Sequence, residues 1–339
     1  GGTATARGIG ARGGRTAVAR PYSSTDVMHR LRPDSASHID LVEIDRLLFR
    51  APREQLWVPP GGRGIFGGQI MGQALRAATL TLGDAGDAFR CHSFHGYFLQ
   101  AGDPTRDVLY RVRETSTRRS FATRSVDGVQ RGELVFKMQA SFAADARGPT
   151  DPEPPEHQAD APEGVPPPED LPSFRDTVEG LMQRLPPSGR FREELMRLCA
   201  APVDLRLIDP IDPLDPDPPR RDPIRRAWVR VAPIDRAAHA FGVDACCAAY
   251  MSDANLLTTA LLPHGIQMPS KKLGAVASLD HSMWFHAPFR ADEWMLYDAT
   301  SPRLVDSRGL AFGSLFQEGR LCVSVAQEGL LRLARTKTA

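Results

Sequence analysis

Apolar and polar positions along the chain follow two periods. From Gln69 to Leu80 most residues are apolar or small on every side, which predicts a buried helix. The pair Gly67-Gly68 opens it and suits a helix start where another backbone comes close. Four strand-like runs follow, at Cys91–Leu99, Asp107–Thr115, Ser120–Val129 and Glu133–Phe142. The last two are joined by Gln130-Arg131-Gly132, a tight hairpin signal. The pattern then recurs. Val243–Leu262 predicts a helix with small residues on one side, and strands are expected at Ala275–Phe285, Trp294–Ala299, Ser307–Phe316 and Arg320–Glu328. Arg226–Val231 predicts a strand before the second helix, with Leu41–Phe49 as its counterpart before the first. One helix and a run of antiparallel strands, twice, is an α+β arrangement. A curved sheet wrapped around each helix would account for helices that are apolar nearly all round.

The repeat is also visible residue by residue. His95-Gly96-Tyr97-Phe98-Leu99-Gln100-Ala101 aligns with His281-Ser282-Met283-Trp284-Phe285-His286-Ala287 at a separation of 186. Gln130-Arg131-Gly132-Glu133-Leu134 aligns with Gln317-Glu318-Gly319-Arg320-Leu321 at 187. Between the repeats, Pro149–Pro172 holds nine prolines and seven acids and almost nothing large and apolar, so it predicts an extended, solvated connector. Asp-Pro repeats from Asp209 to Pro223 predict a rigid surface insertion, and Phe174–Leu198 reads as one helix between the two breaks. The expected division is an N-terminal arm at 1–39, a first repeat at 40–145, the connector and its helix at 146–200, and a second repeat at 201–335.

Composition narrows the function. The 339 residues carry 42 basic and 41 acidic side chains, a balance that argues against a general nucleic-acid binder. No apolar run is long enough to span a membrane. The five cysteines, Cys91, Cys199, Cys246, Cys247 and Cys322, are odd in number and form no Cys-x-x-Cys pair. They are expected to be reduced and mostly buried rather than a disulfide scaffold or zinc site. The first 25 residues contain Arg7, Arg12, Arg15 and Arg20 and no acid, which resembles an organelle transit peptide. Arg20 just before Tyr22-Ser23-Ser24 looks like a mitochondrial processing site, so a mitochondrial address is expected, with cytoplasmic and peroxisomal alternatives. The C-terminal Thr336-Lys337-Thr338-Ala339 is not a Ser-Lys-Leu type signal.

Several motifs together carry a resemblance. They are Phe66-Gly67-Gly68-Gln69-Ile70-Met71-Gly72-Gln73, His92-Ser93-Phe94-His95-Gly96-Tyr97-Phe98-Leu99, Arg119-Ser120-Phe121-Ala122-Thr123-Arg124, Tyr250-Met251-Ser252-Asp253, Leu279-Asp280-His281-Ser282-Met283-Trp284-Phe285-His286 and Val325-Ala326-Gln327-Glu328-Gly329. Across most of 40–145 and 200–333 the chain resembles the acyl-CoA thioesterase II family, the bacterial TesB type and its eukaryotic relatives. That resemblance implies a double hotdog: two fused repeats, each a long helix wrapped by a curved antiparallel sheet. It implies hydrolysis of medium- to long-chain fatty acyl-CoA to free acid and CoA, without a cofactor or metal. It places the water-orienting acid, hydroxyl and amide at Asp253, Ser278 and Gln327. Bacterial members commonly carry Thr at the hydroxyl position; Ser278 keeps the hydroxyl and loses a methyl.

These residue types suit the chemistry. A thioester carbonyl is already activated, so the enzyme needs an activated water, a held carbonyl and exclusion of solvent. Asp253 could accept the water's proton while Ser278 and Gln327 fix its orientation. Direct attack by Asp253 is the alternative. Gly68 and Gln69, at a helix start, are oxyanion-donor candidates. Arg118, Arg119 and Arg124 are candidates for the CoA phosphates. Stepping back by the repeat puts Gly67, His92 and Ala140 at the equivalent positions, so one catalytic set per chain is expected, with the first helix start facing it. Recurrent His95 and His281 read as structural hydrogen-bonding residues, and Met251, Met283, Trp284 and Phe285 as core. Asp280 and His281 are not expected to pair, because strand neighbours face opposite ways. A homo-oligomer is expected, since hotdog sheets commonly pair between subunits. A competing reading is a catalytically silent double hotdog serving as a structural subunit of a larger mitochondrial assembly; a dehydratase is a further one.

Overall fold

The computed structural model describes Gly1 and residues 38–59, 62–83, 88–144, 152–198, 201–212, 214–239, 241–268 and 270–334. The transit-like segment, the Tyr22 processing motif, Cys199 and the last residues lie outside the described residues.

In the first repeat, β1 (Val42–Asp45) and β2 (Leu48–Ala51) precede helix α1 (Gly67–Leu80). Strands β3 (Phe89–Phe98), β4 (Val108–Thr117), β5 (Phe121–Gln130) and β6 (Glu133–Ala144) follow. Helices α2 (Phe174–Arg184) and α3 (Arg190–Leu198) come next. The second repeat contains β7 (Val203–Leu207), β8 (Ile224–Val231), α4 (Val243–Ser252), β9 (Leu273–Ser278), β10 (Asp280–Phe285), β11 (Met295–Val305), β12 (Arg308–Gln317) and β13 (Arg320–Leu333). All strands join one antiparallel sheet in the order β1-β2-β4-β5-β6-β3-β10-β13-β12-β11-β8-β7, with β9 added to β13. This is the double hotdog, with β3 and β10 as the seam between its halves.

The seam corrects the repeat by one residue. His95 faces Ser282, Gly96 faces His281 and Phe94 faces Met283, a pairing symmetric about His95 and Ser282. The symmetric separation is therefore 187. His95 is exposed while His281 and Phe94 are fully buried. A one-residue slip exchanges the two faces of a strand, so the buried counterpart of His281 is Phe94. Ser278 and Gln327 then correspond to Cys91 and Ala140. Asp253 follows the helices instead. Counted from the helix starts at Gly67 and Val243, it corresponds to Ala77 rather than Gly67.

The second repeated motif is a turn. Arg131 and Gly132 take φ of 57° and 83°, and Glu318 and Gly319 take 51° and 78°. Two successive positive φ values make the hairpin turn whose twist matches the flanking strands.

Four expected elements differ. Val243–Leu262 is not one helix: α4 stops at Ser252, and Asn255 takes φ 64° before a 3-10 segment at Leu257–His264. Apolar residues on both sides of the break hide it from periodicity. Ala275–Phe285 divides at Leu279 into β9 and β10. Phe174–Leu198 divides around Pro186-Pro187-Ser188-Gly189, and its first helix starts with a capping box between Ser173 and Asp176. The proline-rich connector is extended and mostly exposed, as its composition requires, but it is not a free tether. Gln158 bonds Gly319 O at 2.9 Å and the Leu321 N–H at 3.1 Å, and Trp228 Nε1 donates to Pro166 O at 2.9 Å.

Helices α1 and α4 pack directly on one another inside the curved sheet. Gly68 lies against Tyr250 O and Gly72 against Cys246 O. The four-residue spacing on both helices lets two antiparallel backbones approach closely. Twelve of the fourteen α1 residues are buried, and one apolar cluster runs through both halves, including Phe94, Met138, Met251, Met283 and Val325. Trp284 does not belong to it: this residue is 37% exposed on the outer face, against His95. Cys246, Cys247 and Cys322 are buried and form no disulfide.

Candidate active site

Asp253 follows the last residue of α4, and three structural devices hold it there. Tyr297 donates its hydroxyl to Ser252 O at 2.7 Å. Ser252 Oγ lies 3.0 Å from both Ala249 O and His281 Nε2. The serine proton goes to Ala249, so His281 donates from Nε2, which agrees with a buried Nδ1 that has no partner. Burial lowers the His281 pKa to about 3, so this ring is neutral and structural. Asp280 turns away and accepts the Glu328 N–H at 2.8 Å, so no Asp280–His281 pair forms.

The β9–β10 break brings the other groups in. Ser278 ends β9 opposite Gly329 on β13, while Ala326 on β13 already pairs with β10. Gln327 sits at this change of partner and is fully buried. Its Nε2 donates to Asp253 Oδ1 at 2.7 Å and to Ser278 Oγ at 2.8 Å. Ser278 Oγ is 3.4 Å from Asp253 Oδ1. From the other repeat, the Gly68 N–H donates to Asp253 Oδ2 at 3.0 Å. Asp253, Ser278 and Gln327 are therefore brought together, with the α1 start against them. Burial raises the Asp253 pKa above the ordinary aspartate range, against the lowering effect of the Gln327, Gly68 and Ser278 hydrogen bonds. Gln327 Oε1 is buried and has no partner.

The oxyanion candidates are otherwise engaged. Gly68 gives its N–H to Asp253, and the Gln69 N–H bonds Phe66 O at 3.1 Å. The Gln69 side chain fastens a loop instead, accepting from Trp57 N and donating to His38 O and Gln55 O. Arg124 is also corrected. It is 2% exposed, donates to Thr81 Oγ1, Thr117 Oγ1 and the Ser116 and Thr123 carbonyls, and so ties the end of α1 to the sheet. Arg118 and Arg119 lie in the adjoining β4–β5 turn. Gly68 and Thr81 are separated by the full length of α1, roughly 20 Å at 1.5 Å per residue. The arginines thus stand at the opposite end of that helix from Asp253.

Asp253 opens on an apolar cavity of about 330 Å³. Trp57, Phe66 and Tyr250 form its near wall. Its outer wall comes from Phe174, Val178 and Leu181 of α2, Phe191 and Leu195 of α3, and Val203, Leu205 and Leu207 of β7. Sequence reasoning missed this wall. Its one signal was the spacing Phe174, Val178, Leu181, an apolar stripe on one helix face. Among the described residues no three His, Cys, Asp or Glu are grouped to hold a metal ion.

A double hotdog whose second half presents an acid, a hydroxyl and an amide at the mouth of an apolar chamber belongs to the thioester-handling hotdog proteins. Residues 222–330 match the family described as acyl-CoA thioesterase, and 55–143 match its N-terminal domain. Acyl-coenzyme A thioesterase 8 of Homo sapiens is 41% identical over 304 residues, covering 87% of this chain and 88% of that protein. Acyl-CoA thioesterase 2 of Haemophilus influenzae is 32% identical, covering 87% and 96%. The crystal structure of acyl-CoA thioesterase II TesB2 from Mycobacterium marinum superposes with a TM-score of 0.63 at 34% identity, over 88% of this chain and 98% of that one. The chain belongs to the acyl-CoA thioesterase family.

Proposed function

We propose that this hydrolase cleaves medium- to long-chain fatty acyl-CoA with Asp253 as general base and Ser278 and Gln327 as the groups that orient the attacking water. The observation that supports this most is the Asp253 carboxylate held by Gln327, Ser278 and Gly68 at the end of an apolar chamber. Water would give one hydrogen to Asp253 and the other to the unpartnered Gln327 Oε1, leaving a lone pair aimed at the thioester carbon. Attack forms the C–O bond, Asp253 takes the proton, and collapse expels CoA thiolate, which recovers a proton to give free CoA. A carboxylate whose pKa is raised by burial is a better base for this step.

Gln327→Ala tests the arrangement. Release of CoA from octanoyl- and palmitoyl-CoA should fall more than tenfold in kcat with little change in KM. A kcat within twofold of the unmodified protein would remove Gln327 from the water site. The silent-subunit reading has no specific support from a chain that keeps all three groups together.

Assembly and address are finer proposals. Tyr97, 61% exposed, and Trp284 lie on the outer face of the seam strands, where a second copy would cover them. A homo-oligomer on that face should be seen by light scattering, and a monomer mass at micromolar protein would exclude it. A mitochondrial address rests on residues 1–25, with cytosol as an alternative. A peroxisomal one gains from a relative in Saccharomyces cerevisiae, 25% identical over 80% of this chain, described as peroxisomal acyl-coenzyme A thioester hydrolase 1. Imaging of the tagged full chain distinguishes them.

A further inference from the structure

The two backbone amides expected to hold an oxyanion are taken, Gly68 by Asp253 and Gln69 by Phe66 O. When water adds to a thioester its carbonyl oxygen becomes negative, and inside an apolar chamber that charge needs a donor. Three tyrosines are buried among the described residues. Tyr110 donates to Gln73 Oε1 at 2.8 Å and Tyr297 to Ser252 O at 2.7 Å. Tyr250 is 2% exposed, and its hydroxyl is buried without a partner. Burying a donor with its bond unmade is costly, so the exception calls for an acceptor that arrives later. Tyr250 and Asp253 line the same cavity. They stand three residues apart where α4 ends, and Asp253 keeps helical φ and ψ, so both lie on one helix face with about 5–6 Å between Cβ atoms. The Tyr250 ring is fixed by the edge of Phe66 at 5.2 Å and by His38 at 6.0 Å. Asp253 is not its acceptor: Oδ1 takes Gln327 and Ser278, and Oδ2 takes Gly68.

We infer that the Tyr250 hydroxyl donates to the thioester carbonyl oxygen and holds the oxyanion formed as water adds. The inference rests on the Asp253 reading above, which sets where the reacting carbon lies. The water oxygen bonds to that carbon, its proton passes to Asp253, and the carbonyl π pair moves onto oxygen. Negative charge thus leaves the carboxylate and appears on the atom that Tyr250 holds, which gives the hydroxyl the acceptor that folding withheld. Collapse returns the pair to the carbonyl, and the C–S bond breaks with its electrons on the CoA sulfur. Tyr250 keeps its proton throughout, because burial and the Asp253 charge hold its pKa above the ordinary tyrosine range. A water-bridged bond to His38, whose two ring nitrogens also lack partners, is the competing use of the hydroxyl.

Tyr250→Phe keeps the ring and removes only the hydroxyl. On the full chain, kcat for octanoyl- and palmitoyl-CoA should fall about 10²- to 10³-fold, the range for one lost oxyanion donor, with KM nearly unchanged. The melting temperature should hold or rise, because the variant deletes a polar atom that makes no bond in the free protein. A ketone analogue of octanoyl-CoA, with a methylene between carbonyl and sulfur, gives a readout without turnover. Its bound carbonyl stretch should lie at lower frequency in the unmodified protein than in Tyr250→Phe. A kcat within twofold, a loss confined to KM, or a carbonyl frequency indifferent to the hydroxyl would each overturn the inference. So would a lower melting temperature with activity intact, which would give the hydroxyl to His38 as a structural bond. Failure of the Asp253 reading is separate, because hydrolysis would then survive Asp253→Ala while the frequency difference remained.

Discussion

Replacing Asp253 with Asn should lower kcat for acyl-CoA hydrolysis by about 10²- to 10⁴-fold, the range for loss of a positioned general base. Asn matches the carboxylate in shape but cannot accept the water's proton. It also turns an amide N–H₂ toward groups that are themselves donors, the Gly68 N–H and the Gln327 amide. On the proposed reading the acyl chain lies in the apolar chamber, so KM should change little. The pH dependence carries the same signature. Asp253 must be ionised to act, so the rate falls as pH drops through its pKa. Burial raises that pKa, which places the acid limb above the ordinary aspartate value of about 3.9. His281 stays neutral above about pH 3 and contributes no limb at higher pH. Asp280 is raised too, by burial and the Glu328 charge against the lowering bond from the Glu328 N–H, so Asp280→Asn serves as the control. The limb should persist in that variant. A normal kcat in Asp253→Asn, or a limb that moves only with Asp280, would refute Asp253 as the base. A single turnover in ¹⁸O-water distinguishes base from nucleophile: label entering the Asp253 carboxylate would indicate an anhydride.

Gly68→Ala should be the most damaging single methyl in the molecule. The added Cβ would stand 2.2 Å from Tyr250 O and 2.6 Å from Phe66 Cε1. Neither α1 nor α4 can yield without moving the other, because both are enclosed by the sheet. Overpacking of this kind costs about 1–3 kcal/mol, and more where backbone is the obstacle. Thermal melting should therefore drop by roughly 1–4 °C for a chain of this size, and further if the backbones cannot relax. Activity should fall as well, since the shift lengthens the Gly68 N–H contact to Asp253. Gly180→Ala is the contrast. It lies in α2 with nothing within 4 Å of its added Cβ. Alanine there should stabilise by about 0.5–1 kcal/mol, the usual gain over glycine inside a helix. A Gly68→Ala protein that melts like the unmodified chain would show that the helices are not in contact there.

The fold was legible because its elements left local marks, whereas the acid, hydroxyl and amide were named only through the family resemblance. Buried helices, alternating strands and two glycine hairpins repeat in order, and the Asp-His-Ser-Met-Trp-Phe-His string is specific. The one-residue error in the repeat arose because His95 and His281 are the same letter at positions of opposite facing. Sequence identity does not encode which face of a strand is inside. The break after Ser252 was hidden because α4 and the following 3-10 segment are both apolar, so the period never changes. Arg124 shows the same limit for charge: it is consumed by hydroxyls and carbonyls at the end of α1, and nothing in its neighbours along the chain separates it from a surface arginine. The chamber wall was missed for a further reason: α2 and α3 lie between two proline-rich breaks, and their apolar stripe has meaning only once β7 is beneath it.

The hydrogen bond from Gly68 to Asp253 crosses from one repeat to the other, and it bears on how a duplicated gene comes to depend on both copies. The first copy has lost, or never had, the acid, yet it supplies a backbone donor to its sister's carboxylate and a glycine ridge that lets the two helices meet. On the proposed assignment, selection on catalysis acts on both copies through different residues: side chains in the second, absence of side chains in the first. Separating the gene at the connector would leave the second copy with its three side chains but without the backbone donor to Asp253 Oδ2, so the two sequences are free to diverge but not to part.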